Sequence, residues 1–141
     1  MAEKISPTIR KEVASRAKYL CEYCRTPQSH APVFFEVEHI IPTSKGGASV
    51  LENLAFACDG CNNRKSDKTA ATDPSTGHNT TLFHPRKDQW YGHFSWSTDS
   101  LLIIGLTPEG RATVEALHLN RQPLINLRLA LFSVGIHPPA D

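Results

Sequence analysis

Residues 21–68 read CEYCRTPQSHAPVFFEVEHIIPTSKGGASVLENLAFACDGCNNRKSDK, from Cys21 to Lys68. Two Cys-x-x-Cys pairs, Cys21/Cys24 and Cys58/Cys61, bracket the stretch with 33 residues between Cys24 and Cys58. Each pair places two thiolates about one turn apart on a tight backbone loop, and two such knuckles suit one tetrahedral zinc ion. A redox Cys-x-x-Cys normally occurs once, at a strand-to-helix junction, so a matched pair argues against that chemistry. These are all the cysteines the chain has. The spacing therefore predicts a structural metal stapling a segment with little core of its own.

Between the knuckles, Phe35 and Val37 alternate with Glu36 and Glu38, the period of a half-buried strand. Pro42 cannot continue a central strand, so His39 falls near the strand's end. Thr43 to Ser49, with Gly46-Gly47, is a loop. Leu51, Leu54 and Phe56 mark a second apolar run leading into Cys58, and Asn62 to Lys68 can form two helical turns. The predicted order is strand, glycine loop, strand, zinc knuckle, helix.

This order, with Glu38-His39-Ile40-Ile41-Pro42, Gly46-Gly47, Asn53-Leu54 and Cys58-x-x-Cys61-Asn62-x-x-Lys65 at its joints, resembles the HNH endonuclease family and its ββα-metal fold. The resemblance covers residues 21–68. It implies a metal ligand at Glu38, a general base at His39, a loop brace at Asn53 and a second metal ligand at Asn62. It also implies cleavage of DNA to a 5′-phosphate and a 3′-hydroxyl. The chain departs from the family's name by reading H-N-N, and the position one turn further along the helix is Ser66 rather than histidine. The expected catalytic site is thus oxygen-ligated, with Glu38, Asn62, waters and the substrate phosphate around Mg²⁺ or Mn²⁺. Hard oxygen ligands with several retained waters are what Mg²⁺ prefers. Imidazole titrates near neutrality, which suits a base acting on water. Asn62 has a second reading as a helix cap, since asparagine is favoured there too. Lys65 and Lys68 are candidate phosphate contacts.

The flanks say less. Ser6-Pro7 starts a helix over residues 6–20, with Ile9, Val13, Ala17 and Leu20 at helical spacing. Its basic residues Arg10, Lys11, Arg16 and Lys18 read either as a solvated face or as phosphate contacts. Residues 69–89 read as a loop. In residues 90–141, alternation at Phe94 and Trp96 followed by Leu101 to Leu106 predicts a hairpin, with Trp90 and Trp96 in its core. Thr107-Pro108 opens a helix, and Asn120 to Val134 forms a longer one ended by Gly135. Leu82-Phe83-His84-Pro85-Arg86 and Gly105-Leu106-Thr107-Pro108-Glu109-Gly110-Arg111-Ala112-Thr113 resemble the tails of small bacterial HNH proteins. Arg86 and Lys87 are further phosphate candidates; His84 and His93 read as structural, with an approach to the metal as the alternative.

The chain has 141 residues and a formal charge of +1. That length fits one domain, 1–141, of α+β class. Residues 1–68 hold ten Lys/Arg and eight Asp/Glu, and residues 69–141 hold five and six. Nucleic-acid binding would therefore have to come from a local basic face. No run approaches the ~20 apolar residues of a membrane span, and Met1 to Thr8 lacks a signal-peptide pattern. The expectation is a cytoplasmic, DNA-cutting enzyme, with a zinc-stapled nucleic-acid-binding module without cleavage activity, or a protein-interaction adaptor, as alternatives.

Overall fold

A computed structural model describes residues 5–140. The chain forms two compact units. The first runs to Thr69 and takes back His84–Asp88; the second comprises Ala70–Phe83 and Gln89–Asp141. Among the described residues no helix is long and apolar enough to cross a membrane.

The first unit begins with α1, Pro7–Arg16. Ser6 Oγ accepts from the amide of Ile9 at 3.2 Å, and Pro7 occupies the first turn, where its missing N–H costs nothing. The helix stops four residues short of the predicted end. Lys18 and Tyr19 adopt left-handed backbone angles, which reverse the chain so that Leu20 pairs with Pro27 around the first knuckle. Helical periodicity at Leu20 was produced by this turn, which buries Leu20 without continuing the helix.

Strands β1, Glu36–His39, and β2, Leu54–Ala57, pair antiparallel, with Glu38 opposite Ala55 and His39 opposite Leu54. All four residues of β2 are buried, and Phe56 packs between Phe35 and Tyr19. The intervening loop is braced by Asn53. Its Oδ1 accepts from the amide of Ile41 at 2.9 Å, and its Nδ2 donates to the carbonyls of Ile41 and Ala48, both at 2.9 Å. Gly47 fits beneath this brace, where a Cβ would lie 1.7 Å from the Ile41 carbonyl oxygen. After β2, helix α2 spans Asp59–Lys65 and is capped by Cys58, whose Sγ accepts from the Cys61 amide. The helix therefore starts before Asn62, which lies inside its first turns and is not its cap.

The second unit corrects the reading of residues 69–89 as a loop. Strands β3, Ala70–Thr72, and β4, Asn79–Thr81, form a short hairpin. Three-residue strands of small and polar side chains show no alternation, so composition hid them. Their turn is organised by Asp73, fully enclosed, whose Oδ1 accepts from Ser75 and whose Oδ2 accepts from Thr76. Arg111 clamps the same carboxylate through Nε at 2.9 Å and Nη2 at 2.8 Å. A helical turn follows, α3, Trp90–His93, where alternation had suggested strand; the hairpin proper is β5, Phe94–Trp96, with β6, Ile103–Gly105. Helices α4, Pro108–Leu117, and α5, Gln122–Ser133, complete the unit as expected. The Gly105–Thr113 stretch is now legible position by position. Thr107 caps α4, Gly110 leaves room for the His93 carbonyl 2.2 Å from where a Cβ would sit, and Arg111 holds Asp73. Thr113 Oγ1 accepts from the Phe83 amide at 2.9 Å. Trp90 is buried against Phe94 and Trp96, ring centroids 5.0 and 5.4 Å away.

Two outcomes follow from these contacts. Gly47→Ala forces the Ile41 carbonyl away from the Asn53 brace and should destabilise the first unit by about 1–3 kcal/mol, the range for overpacking, read as a lower urea midpoint. Arg111 holds the Asp73 carboxyl well below the usual carboxylate range. A depressed folded-state pKa stabilises above the unfolded value of about 3.9 and is lost as pH falls through the folded one. Asp73→Asn should therefore lower the neutral-pH melting temperature and flatten the acid limb of the stability curve.

Candidate metal centre and active site

The four cysteine sulfurs lie within 4.8 Å of one another, and all four residues are buried. Zn–S bonds of about 2.3 Å in a tetrahedron put sulfurs about 3.8 Å apart; Cys24 and Cys58 are 3.7 Å apart. Burial pushes the Cys21 thiol well above its ordinary value, while hydrogen bonding from Cys21 pulls Cys24 well below. Four thiolates cannot share so dry a space without a cation, and a dication resolves that conflict. The donor set fits zinc. The knuckles are fixed by backbone: the Cys21 amide donates to the Thr26 carbonyl, and the Cys61 amide to Cys58 Sγ. Glu22 fastens the first knuckle to β2. Its amide donates to the Phe56 carbonyl, and its Oε2 accepts from the Phe56 amide, both at 2.8 Å.

Beside β1 lies an open concavity of about 240 Å³ lined by Val37, Glu38, His39, Pro42, Thr43, Asn62 and Ser66. Three expected site residues, Glu38, His39 and Asn62, thus share one surface, although Glu38 and His39 are neighbours on a strand. Ser49 Oγ lies 2.8 Å from His39 Nε2 and sets the imidazole's orientation. Asn53 stands behind the wall rather than in it, holding Ile41 next to Pro42.

Glu38 is 6% exposed. Lys65 Nζ donates to its Oε2 at 3.0 Å, and the Tyr23 hydroxyl donates to its Oε1. Burial raises this carboxyl above the ordinary range, with the Lys65 ammonium and then the Tyr23 hydrogen bond pulling it back. A carboxylate offers about four acceptor positions, more than two partners fill, so Glu38 retains capacity for a cation.

Lys65 requires a correction. Its side chain turns inward at 1% exposure, and Nζ reaches Glu38 Oε2 together with the carbonyls of Ile40 at 2.9 Å and His39 at 3.3 Å. A lysine so enclosed is a counter-ion for Glu38, not a surface contact for phosphate. Lys68 does stay exposed, its Nζ donating to the Arg64 carbonyl. Arg86 pairs with Glu22. His84 Nδ1 accepts from the amides of Arg86 and Lys87, an internal turn cap, and His93 Nδ1 meets Thr107 Oγ1 at 2.6 Å. Tyr23 and Ser49 carried no signal in the sequence, because each acts on its partner across 15 and 10 residues of chain.

Removal of the metal should unfold the first unit. Chelation, or Cys61→Ser, is expected to abolish the cooperative melt of that unit, and a thiol-reactive dye should release one equivalent of zinc per chain; a structural zinc contributes on the order of 10 kcal/mol.

Among family models, the one described as HNH endonuclease matches residues 21–68. No curated protein matches the chain. The matched segment contains all four metal-positioned cysteines and every residue lining the concavity, so Cys21–Lys68 is similar to the HNH endonucleases, a family whose members are generally nucleases.

Proposed function

We propose that the chain is a metal-dependent endonuclease that hydrolyses DNA phosphodiester bonds, its fold held by structural zinc. The observation that carries the reading is the meeting of Glu38, His39 and Asn62 at one open concavity, wide enough for a backbone phosphate and solvent. His39 is the general base. Nε2 is engaged with Ser49 Oγ, which leaves Nδ1 as the nitrogen that takes the proton of the attacking water. Glu38 and the Asn62 amide oxygen would hold a divalent ion, Mg²⁺ or Mn²⁺, which would supply charge neutralisation at the phosphate and the leaving 3′ oxygen. Lys65 and Tyr23 hold the Glu38 carboxylate in place, and Asn53 holds the strand end that carries His39. Lys68, exposed on the same segment, is a phosphate contact. Action in the cytoplasm is part of the same proposal.

The second reading is a zinc-stapled nucleic-acid-binding module that does not cut. What favours it is the Lys65 ammonium already seated on Glu38, together with the H-N-N signature.

Plasmid nicking separates the two. Zinc-loaded protein with added Mg²⁺ or Mn²⁺ should convert supercoiled to open-circular or linear DNA, and His39→Ala should cut about 10²–10⁴-fold more slowly, the range for loss of a general base, with its zinc content unchanged. Equal rates for wild type and His39→Ala, both folded, would remove His39 from the mechanism; no cutting by the wild type would favour the binding module.

A further inference from the structure

A second concavity, this one basic, lies in the first unit and shares no lining residue with the first. It has a volume of about 380 Å³ and is lined by Arg16, Leu51, Glu52, Arg86 and Lys87. Three cations from segments 70 residues apart in sequence converge here; Glu52 shares the lining, Glu12 and Glu52 act on Arg16, and Glu22 pairs with Arg86. Their convergence is built. Arg16, at the end of α1, has Nη2 fixed by the carbonyls of Leu51 and Leu54. Arg86 is fixed by Glu22, itself bonded to Phe56. The turn presenting Lys87 is closed by His84, whose Nδ1 accepts from both following amides and whose own amide donates to Asp88 Oδ2. Burial and then the charge of Arg16 push the Arg86 guanidinium down to about 10, and Glu22 pairs with it from the other side. A guanidinium carries five N–H donors in a rigid fork suited to phosphate oxygens, more than the carbonyls and carboxylate here take up. Lys87 is exposed at the rim.

We propose that Arg16, Arg86 and Lys87 form an anchoring site for a backbone phosphate of the nucleic acid, separate from the phosphate to be cut. The Leu51–Asn53 turn links the two places. Its Leu51 and Glu52 line the basic concavity, while its Asn53 braces Ile41 beside Pro42 of the reacting one. A phosphate gripped on one side of this turn sets the register of the strand on the other. The grip reads no base, because a phosphate contact positions without specifying sequence. The inference rests on nucleic acid being the substrate, but not on cleavage.

Duplex binding by the zinc-loaded protein without added magnesium, followed by fluorescence anisotropy across a salt series, tests it. Each phosphate contact adds about 0.9 to the slope of log K against log salt. Lys87→Gln should make the slope shallower by about 0.9 and weaken binding several-fold on any sequence. Lys87→Arg should restore the slope. Lys87 is exposed and its side chain makes no hydrogen bond or ion pair among the described residues, so the variant should fold. An unchanged slope in Lys87→Gln overturns the proposal, as does a wild type that fails to bind duplex. Inorganic phosphate that binds the free protein through Lys87, while the salt slope for duplex is the same in wild type and Lys87→Gln, would reassign the pocket to free phosphate and overturn the nucleic-acid assignment. His39→Ala, by contrast, should lose cutting and keep the full slope, so the two readings fail separately.

Discussion

Everything in the first unit depends on four thiolates meeting at one point. The paired strands are four residues each, and a two-stranded ribbon of that length is marginal in water. Closure by a metal at the four cysteines would turn the 33-residue excursion between the knuckles into a fixed loop. It also fixes the phase of α2, because Cys58 is both a ligand position and the helix cap and Cys61 lies within the helix. Once that phase is set, the next residue, Asn62, faces the concavity, and Lys65, one turn on from Cys61, points inward beneath β1. The site's geometry is inherited from the knuckle.

The second constraint is electrostatic. Glu38 and Lys65 are both almost wholly buried, and removing one partner of such a pair leaves an uncompensated charge that costs roughly 3–5 kcal/mol. The pair ties α2 to the end of β1, since Nζ also reaches the carbonyls of His39 and Ile40 just where the strand stops and its carbonyls lose ladder partners. Tyr23, from the first knuckle, supplies the third contact. Knuckle, strand and helix meet on one carboxylate, so its orientation is over-determined.

Much of this was legible in the sequence where the chemistry is local. The cysteine spacing, the Glu38-His39 strand end, the Thr107-Pro108 cap and the buried Trp90 all follow from neighbours within a few positions, whereas Trp96 is only half-buried. What escaped was set across the chain. Lys65 looked like a surface base because a polar helix hides which way one side chain turns, and the helix phase set at Cys58 and Cys61 turns it inward. The hairpin of β3 and β4 had no apolar alternation, being held by Arg111, 38 residues beyond Asp73. The end of α1 was overrun because left-handed residues at Lys18 and Tyr19 still deliver Leu20 to the core. Arg86 and Lys87 were recognisable as basic, but their convergence with Arg16 depends on the return of residues 84–88 to the first unit.

The H-N-N signature and the buried lysine together say how a divalent ion would be held in the proposed reaction. Asn62 and Ser66 offer neutral oxygens where imidazoles would favour softer metals, so the donor set selects a hard ion. The Lys65 ammonium, 3.0 Å from Glu38, cancels most of the negative charge the chain brings to that ion, and so weakens its hold in the free protein. The missing charge and ligands are those of the substrate phosphate. Ion and phosphate would then bind as one, each completing the site for the other, and any contact that positions the phosphate also contributes to metal affinity. A basic pocket across the Leu51–Asn53 turn does this from outside the reacting centre: by fixing one phosphate of the strand, it limits where the next can lie relative to Glu38 and His39.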